Sequence, residues 1–210
     1  MQHTVNVHPA ITPELLQTAY SYNGYLNLIN RLLEEGKTTG SNHSEAMLEY
    51  TRLNVQRMKR VAQTVILTPE TKQSMQAITR KVVWLVLAEA WCGDVAINLP
   101  VIADMAAQNP AAIQLHIVLR DENPVIMDDF LTNGARSIPK LIWLDARTLH
   151  VLGSWGPRPY VAQQMVMDHK QNPVEPYGEF VKKLMLWYAQ DKGLSLQAEL
   201  TELAINWGRL

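Results

Sequence analysis

Val82-Val83-Trp84-Leu85-Val86-Leu87-Ala88 is an unbroken apolar run, and Trp91-Cys92-Gly93-Asp94-Val95 follows it closely. An apolar run of this length without alternation reads as a central strand buried on both faces of a sheet. After it, Val95, Leu99, Ile102 and Met105/Ala106 recur at helical spacing. Cys92, the only cysteine in 210 residues, therefore stands where a strand's carboxyl end meets a helix's amino end. Unpaired amides and the helix dipole at that place favour an anion, here a thiolate.

Towards the carboxyl terminus the alternation continues. Asn109-Pro110 stops the motif helix, and Gln114 to Arg120 reads as the next strand. Asn123 is a cap and Pro124 a first helical position, and the helix is predicted to run to Asn133-Gly134. Lys140 to Leu144 is a strand, Asp145-Ala146-Arg147 a turn, and Leu149 to Trp155 an antiparallel return strand. Pro157 and Pro159 end the sheet, and a helix follows with Ala162, Met165 and Val166. Past a linker at Asn172-Pro173 and Pro176, a helix carries Tyr177, Phe180, Val181, Leu184, Trp187 and Tyr188 and stops at Gly193. Ser195 then caps a last helix striped by Leu196, Leu200, Leu203 and Trp207. That stripe is core or a homodimer contact, because nothing polar converges on it.

Towards the amino terminus the chain reads as helical. Residues 1–11 form an extended tail. Thr12-Pro13-Glu14 opens a helix striped by Leu15, Ala19, Tyr22, Leu26, Ile29 and Leu33 and ended by Gly36. Asn42 with Glu45 resembles a capping box, and the helix after it shows Met47, Thr51, Val55, Met58, Ala62 and Val65 on one side. Arg52, Arg57, Lys59 and Arg60 read as a solvated face paired with Glu45 and Glu49; the alternative is a site for an acidic partner. Thr68-Pro69-Glu70 opens a short helix to about Arg80. Val65-Ile66-Leu67 is the only candidate for an edge strand in this half.

The Trp91-Cys92-Gly93 start resembles the thioredoxin active-site motif, Trp-Cys-Gly-Pro-Cys. Thioredoxins carry a proline five residues after their second cysteine, and Pro100 stands five after Val95. Gly134 to Asp145, with Ile138-Pro139 before a strand, is similar to the family segment that carries a cis-proline. Trp155-Gly156-Pro157-Arg158-Pro159 and the flanking helical regions suggest the bacterial subgroup with Trp-Cys-Gly-Asp. The resemblance spans roughly residues 80–190. It implies an α/β fold: a thioredoxin-like central mixed sheet flanked by helices, with a helical N-terminal extension (1–80) and C-terminal helices closing the domain (81–210). It further implies that Pro139 is cis, faces Cys92, and leaves the Ile138 backbone to pair with an extended peptide. Departures are equally plain. Val95 takes the place of the resolving cysteine, Asp94 that of the proline, and the family's buried acid falls on Val86.

Composition bounds the function. Net charge is -1, with 47% hydrophobic and 19% charged residues, so nothing argues for nucleic acid or an anionic membrane. One cysteine fits a reducing compartment, and the start lacks a secretory pattern; the expectation is a cytoplasmic protein. The six histidines show no metal-ligand spacing, and no phosphate-cradling loop occurs, so no metal and no cofactor is expected. Cys92 and Asp94 are the candidate catalytic residues; Trp91, Gly93, Ile138 and Pro139 are the candidate substrate contacts. Each has a plainer reading. Cys92 can be an inert packed thiol, Asp94 a first-turn helix acid, Trp91 core, and Pro139 a trans residue opening an edge strand. The expectation is a monothiol redox protein: Cys92, more acidic than a free thiol, exchanges with a disulfide-containing protein or a low-molecular-weight thiol, and an external thiol resolves the adduct. The alternative is a redox-inactive binding or chaperone-like module.

Overall fold

The computed structural model describes residues 7–207. Residues 1–6 of the expected tail lie outside them. Ile11 is buried and Val7 forms a β-bridge with His150, so the rest of that segment packs on the fold rather than trailing from it.

The chain runs α1 (Pro13–Thr18), α2 (Tyr22–Glu34), α3 (Glu45–Thr64), α4 (Pro69–Gln76), β1 (Val82–Ala88), α5 (Gly93–Ala107), β2 (Ile113–Leu119), α6 (Pro124–Asp129), β3 (Lys140–Asp145), β4 (Val151–Trp155), α7 (Tyr160–Gln171), α8 (Tyr177–Asp191) and α9 (Leu194–Trp207). The strands form one mixed sheet in the order β2-β1-β3-β4. β1 pairs parallel with β2, from Val82 opposite Ile113 to Ala88 opposite Leu119. It pairs antiparallel with β3, and β3 with β4. All seven residues of β1 are buried, as an unalternating run at the centre of a covered sheet requires. The expected α/β architecture, helical at both ends, is the one present.

One core joins the two halves. Ile11, Tyr25, Ile29, Met58 and Met75 from the N-terminal helices share it with β1, β3 and α5. α3 packs on α5, and α4 on α9. Leu196 and Leu200 of α9 are fully buried in that core, which settles the α9 stripe as packing. Trp84 and Trp143 meet edge to face with centroids 4.6 Å apart, and Trp143 meets Trp207 at 5.6 Å. Gly153 makes room for that last ring, since a Cβ there would lie 2.1 Å from it. α7 and α8 build a smaller cluster around Ala162, Val166, Phe180, Leu184 and Tyr188.

Several boundaries differ from the sequence reading. The first helix is two, α1 and α2, broken at Tyr20. Its N–H donates to the Ile117 carbonyl and its carbonyl accepts from the Ile117 N–H, both at 2.8 Å. The free edge of β2 is therefore met by a single residue. Val65 to Leu67 is not a strand. Ser44, not Asn42, precedes α3, and the Asn42 side chain accepts from the Ser44 N–H instead. α6 ends at Asp129 rather than Asn133, and Thr132 to Ala135 closes as a small bridged turn. α9 begins at Leu194, with the Asp191 carboxylate accepting from the Ser195 N–H.

Candidate functional site

Cys92 is the residue before α5 and is part-exposed. Its thiol donates to the Ile138 carbonyl at 3.4 Å. Ile138-Pro139 is cis. Ile138 is buried, and its carbonyl accepts from the Cys92 thiol. Gly156 closes this corner from the β4 side: its φ is +117°, and a Cβ there would lie 2.2 Å from the Pro139 carbonyl oxygen. Only glycine meets both demands.

The first turn of α5 presents the Asp94 and Val95 N–H groups to the sulfur, which favours the thiolate. Two larger influences oppose it. Burial and then the Asp94 carboxylate push the thiol up to about 12. The sequence leaves the net shift undecided between the helix terminus and a nearby Asp94 carboxylate; here the direction runs against the hypothesis of an acidified thiol, because a single helix terminus does not offset desolvation plus a neighbouring like charge.

Asp94 is buried and fully engaged. One carboxylate oxygen accepts from Arg158, and the other accepts from the Tyr188 hydroxyl at 2.9 Å. The Asn98 amide donates to the Asp94 carbonyl at 2.9 Å and to the Tyr188 oxygen at 3.2 Å. Burial pushes the Asp94 carboxyl above its ordinary range, and Arg158 and Tyr188 pull it back only in part. Burial draws Arg158 down, and Asp94 more than offsets this. Asp94 is thus the hub of a buried network that reaches α8 and the segment after β4.

Trp91 is half-buried beneath Arg120, whose guanidinium carbon lies 4.7 Å from the ring centroid. Arg120 also pairs with Asp121 at 2.7 Å. Gly93 faces α3 and α8: a Cβ on it would lie 3.5 Å from Arg57 Nη1 and 3.8 Å from Met185 Cε. The structure therefore gathers Cys92, Ile138 and Pro139 at one corner, while Trp91 and Gly93 flank it on different sides.

Two groups under the site escaped the sequence reading. Val86, where the family acid falls, is apolar and buried, yet Glu89 is a carboxyl with no exposure at all. Its Oε1 accepts from the Asp121 N–H at 2.9 Å, and Oε2 has no partner among the described residues. Burial raises its pKa, with the nearby Thr39 hydroxyl and the bond from the Asp121 N–H countering it only in part. Tyr25 brings a second buried, unpartnered oxygen; burial, then the charges of Glu89 and Cys92, hold its pKa well above the ordinary value. The N-terminal region also braces the motif backbone: Thr39 accepts from the Ala90 N–H at 2.8 Å, and Asn54 donates to the Ala90 carbonyl at 2.9 Å. Residues 32 to 51 positions apart in sequence meet here through these bonds, and only an unusual polar residue inside an apolar stretch, Glu89, offered a sign of it. Among the described residues, no cluster of His, Cys, Asp or Glu is placed to hold a metal ion, and no helix is long and apolar enough to cross a membrane.

A mixed sheet carrying one cysteine at the head of a helix, opposite an Ile-Pro corner, defines a thioredoxin-like protein with a single thiol. The thioredoxin family model matches residues 40–172, more than half of the sequence. The chain belongs to that family. The match begins within the region expected to be an extension. No curated protein matches the sequence. Among solved structures, a protein of unknown function from Pseudomonas aeruginosa is similar over 91% of this chain and 95% of its own, with 19% identity and a TM-score of 0.58. An HIV epitope-scaffold is similar over the same shares, with 17% identity and a TM-score of 0.54. At these identities both show the fold alone.

Proposed function

We propose that this chain is a thioredoxin-family protein, of the Trp-Cys-Gly-Asp subgroup, that works with one thiol. Cys92 exchanges with a disulfide on a protein or a small-molecule partner, and a thiol from outside the chain resolves the product. The observation that carries this reading is the sulfur's position. The residue is part-exposed while the thiol itself is largely desolvated, and the sulfur lies 3.4 Å from the Ile138 carbonyl oxygen with the first-turn N–H groups of α5 directed at it.

In the first step Cys92 gives up its proton and its sulfur bonds to one sulfur of the disulfide. The disulfide bond breaks, and the departing thiolate takes up a proton. In the second step a low-molecular-weight thiol attacks the mixed disulfide, bonds to the partner's sulfur, and releases Cys92 as the thiol. With a single cysteine in the sequence, no internal group performs that second attack. Trp91, Gly93 and Pro139 bound the surface on which the partner rests. Burial and the Asp94 charge hold the thiol well above its ordinary range and disfavour the thiolate at neutral pH. The resting protein is therefore slow to react.

That same suppressed thiol favours a second reading, a binding module that keeps the family's groove without turnover. Incubation with oxidised glutathione at pH 8.5, followed by intact-mass measurement, separates the two. The redox reading expects one glutathionyl adduct on Cys92, absent from Cys92→Ser and removed by added thiol. A folded protein that stays unmodified for hours supports the module.

A further inference from the structure

A cavity of about 370 Å³ lies between α3, α5 and α8, and the thiol chemistry leaves it unused. That volume is typical of small-molecule sites. Its walls are apolar: Val61, Val65, Ile97, Val101 and Met185. Arg57, Arg60 and Lys192 also line it, and none of the three makes an ion pair among the described residues. One acid, Asp191, shares the lining, but its carboxylate is occupied by the Ser195 N–H and hydroxyl.

Position adds to composition. Asn98 and Tyr188, both buried, belong to the lining and lead to Asp94 through the hydrogen bonds described above. Arg57 and Met185, which line the cavity, are the two side chains nearest a Cβ at Gly93. Two of the cavity's lining side chains thus lie close to Gly93, the residue after Cys92. Arg57 donates to Asn54 at 2.9 Å, and burial draws its pKa down. The Asp94 carboxylate, paired with Arg158, acts on Arg57 only from a distance, and a partly desolvated guanidinium without a direct ion pair is completed by an anion. Val61, Val65 and Val101 also line an adjoining cavity of about 490 Å³ that extends past Pro100 to Ile113 and Leu115.

We propose that this cavity binds a small organic anion with an apolar body. Its anionic head meets Arg57, Arg60 and Lys192, and its hydrocarbon follows Val61, Val65 and Val101. The site stands on its own, whether or not Cys92 exchanges disulfides.

Methyl NMR of the full chain with ¹³C-methyl methionine tests it, using Met185, assigned through Met185→Leu, as the reporter. Decanoate, decyl phosphate and decanol are titrated below the concentrations at which they aggregate. A carboxylate or phosphate head is expected to shift the Met185 methyl saturably, with decanol about tenfold weaker or worse. The tighter of the two anions identifies the head group. Arg60→Gln and Lys192→Gln alter exposed side chains and are expected to weaken binding about threefold each, with melting temperature unchanged. No saturable shift with either anion, equal affinity for decanol, or full affinity in the double variant would overturn the proposal. These outcomes do not depend on adduct formation at Cys92.

Discussion

At Cys92 three influences are in contest, and their order decides its chemistry. Helix-terminal N–H groups favour the thiolate; burial and Asp94 outweigh them and carry the thiol to about 12. Asp94→Asn removes the like charge while keeping an oxygen for Tyr188 and the same volume. Arg158 then acts on the sulfur unopposed. Alkylation of Cys92 by iodoacetamide at pH 8 is expected to quicken about tenfold in this variant; an unchanged or slower rate contradicts the role given to Asp94. Part of this corner is legible in one dimension. Trp91 to Asp94 is contiguous, and Ile138-Pro139 is a recognisable pair, so both stand out in the sequence. Tyr25 does not, and Arg158 and Tyr188, though they sit in a motif and a helical stripe, cannot be placed beside Asp94 from the sequence, because only folding brings them there. The direction of the thiol's shift was equally hidden, since desolvation belongs to the packed state.

Elements with a strong local signal fell where they were expected, as β1, α5 and β3 show. Those decided by tertiary bonds did not. Tyr20 leaves the helical pattern because two backbone hydrogen bonds to Ile117 are on offer at an open sheet edge. The turn between β3 and β4 shows the same dependence in its energetics. Burial pushes Asp145 up, but hydrogen bonds from the Thr148 hydroxyl and N–H, Arg80 and the Arg147 N–H overcome this and hold it at about 2. Arg80 Nε donates to it at 2.8 Å, fastening the segment before β1 to the hairpin. A carboxyl depressed in the folded state stabilises above its unfolded pKa, and that contribution fades as pH falls through the folded value. Asp145→Asn is expected to cost roughly 1–2 kcal/mol in urea unfolding at pH 7, with the gap to wild type closing between about pH 4 and pH 2. A gap that persists undiminished at pH 2 would show that the carboxylate's charge is not the source.

For the molecule as a whole, the N-terminal helices belong to the same core as the sheet. The family match starts at residue 40, yet Ile11, Tyr25, Leu28 and Ile29 are buried before it. Each contributes about 1.5–3 kcal/mol by burial, together comparable to the net stability of a domain, roughly 5–15 kcal/mol. Thr39 and Tyr20 add bonds to the Ala90 N–H and to the open edge of β2. A chain lacking residues 1–39 is therefore expected to aggregate on size-exclusion chromatography and to lose its cooperative thermal transition, whereas a monomer melting cooperatively would refute the shared core. The function proposed above is set at the scale of the whole protein among its partners: a lone thiol that joins a partner's sulfur and is freed by a thiol from outside. Intact-mass analysis of the protein acid-quenched from its own cells after a disulfide stress tests this most directly. A thiol-reversible adduct on Cys92 is expected; a Cys92 that is unmodified before, during and after the stress would contradict the proposed function.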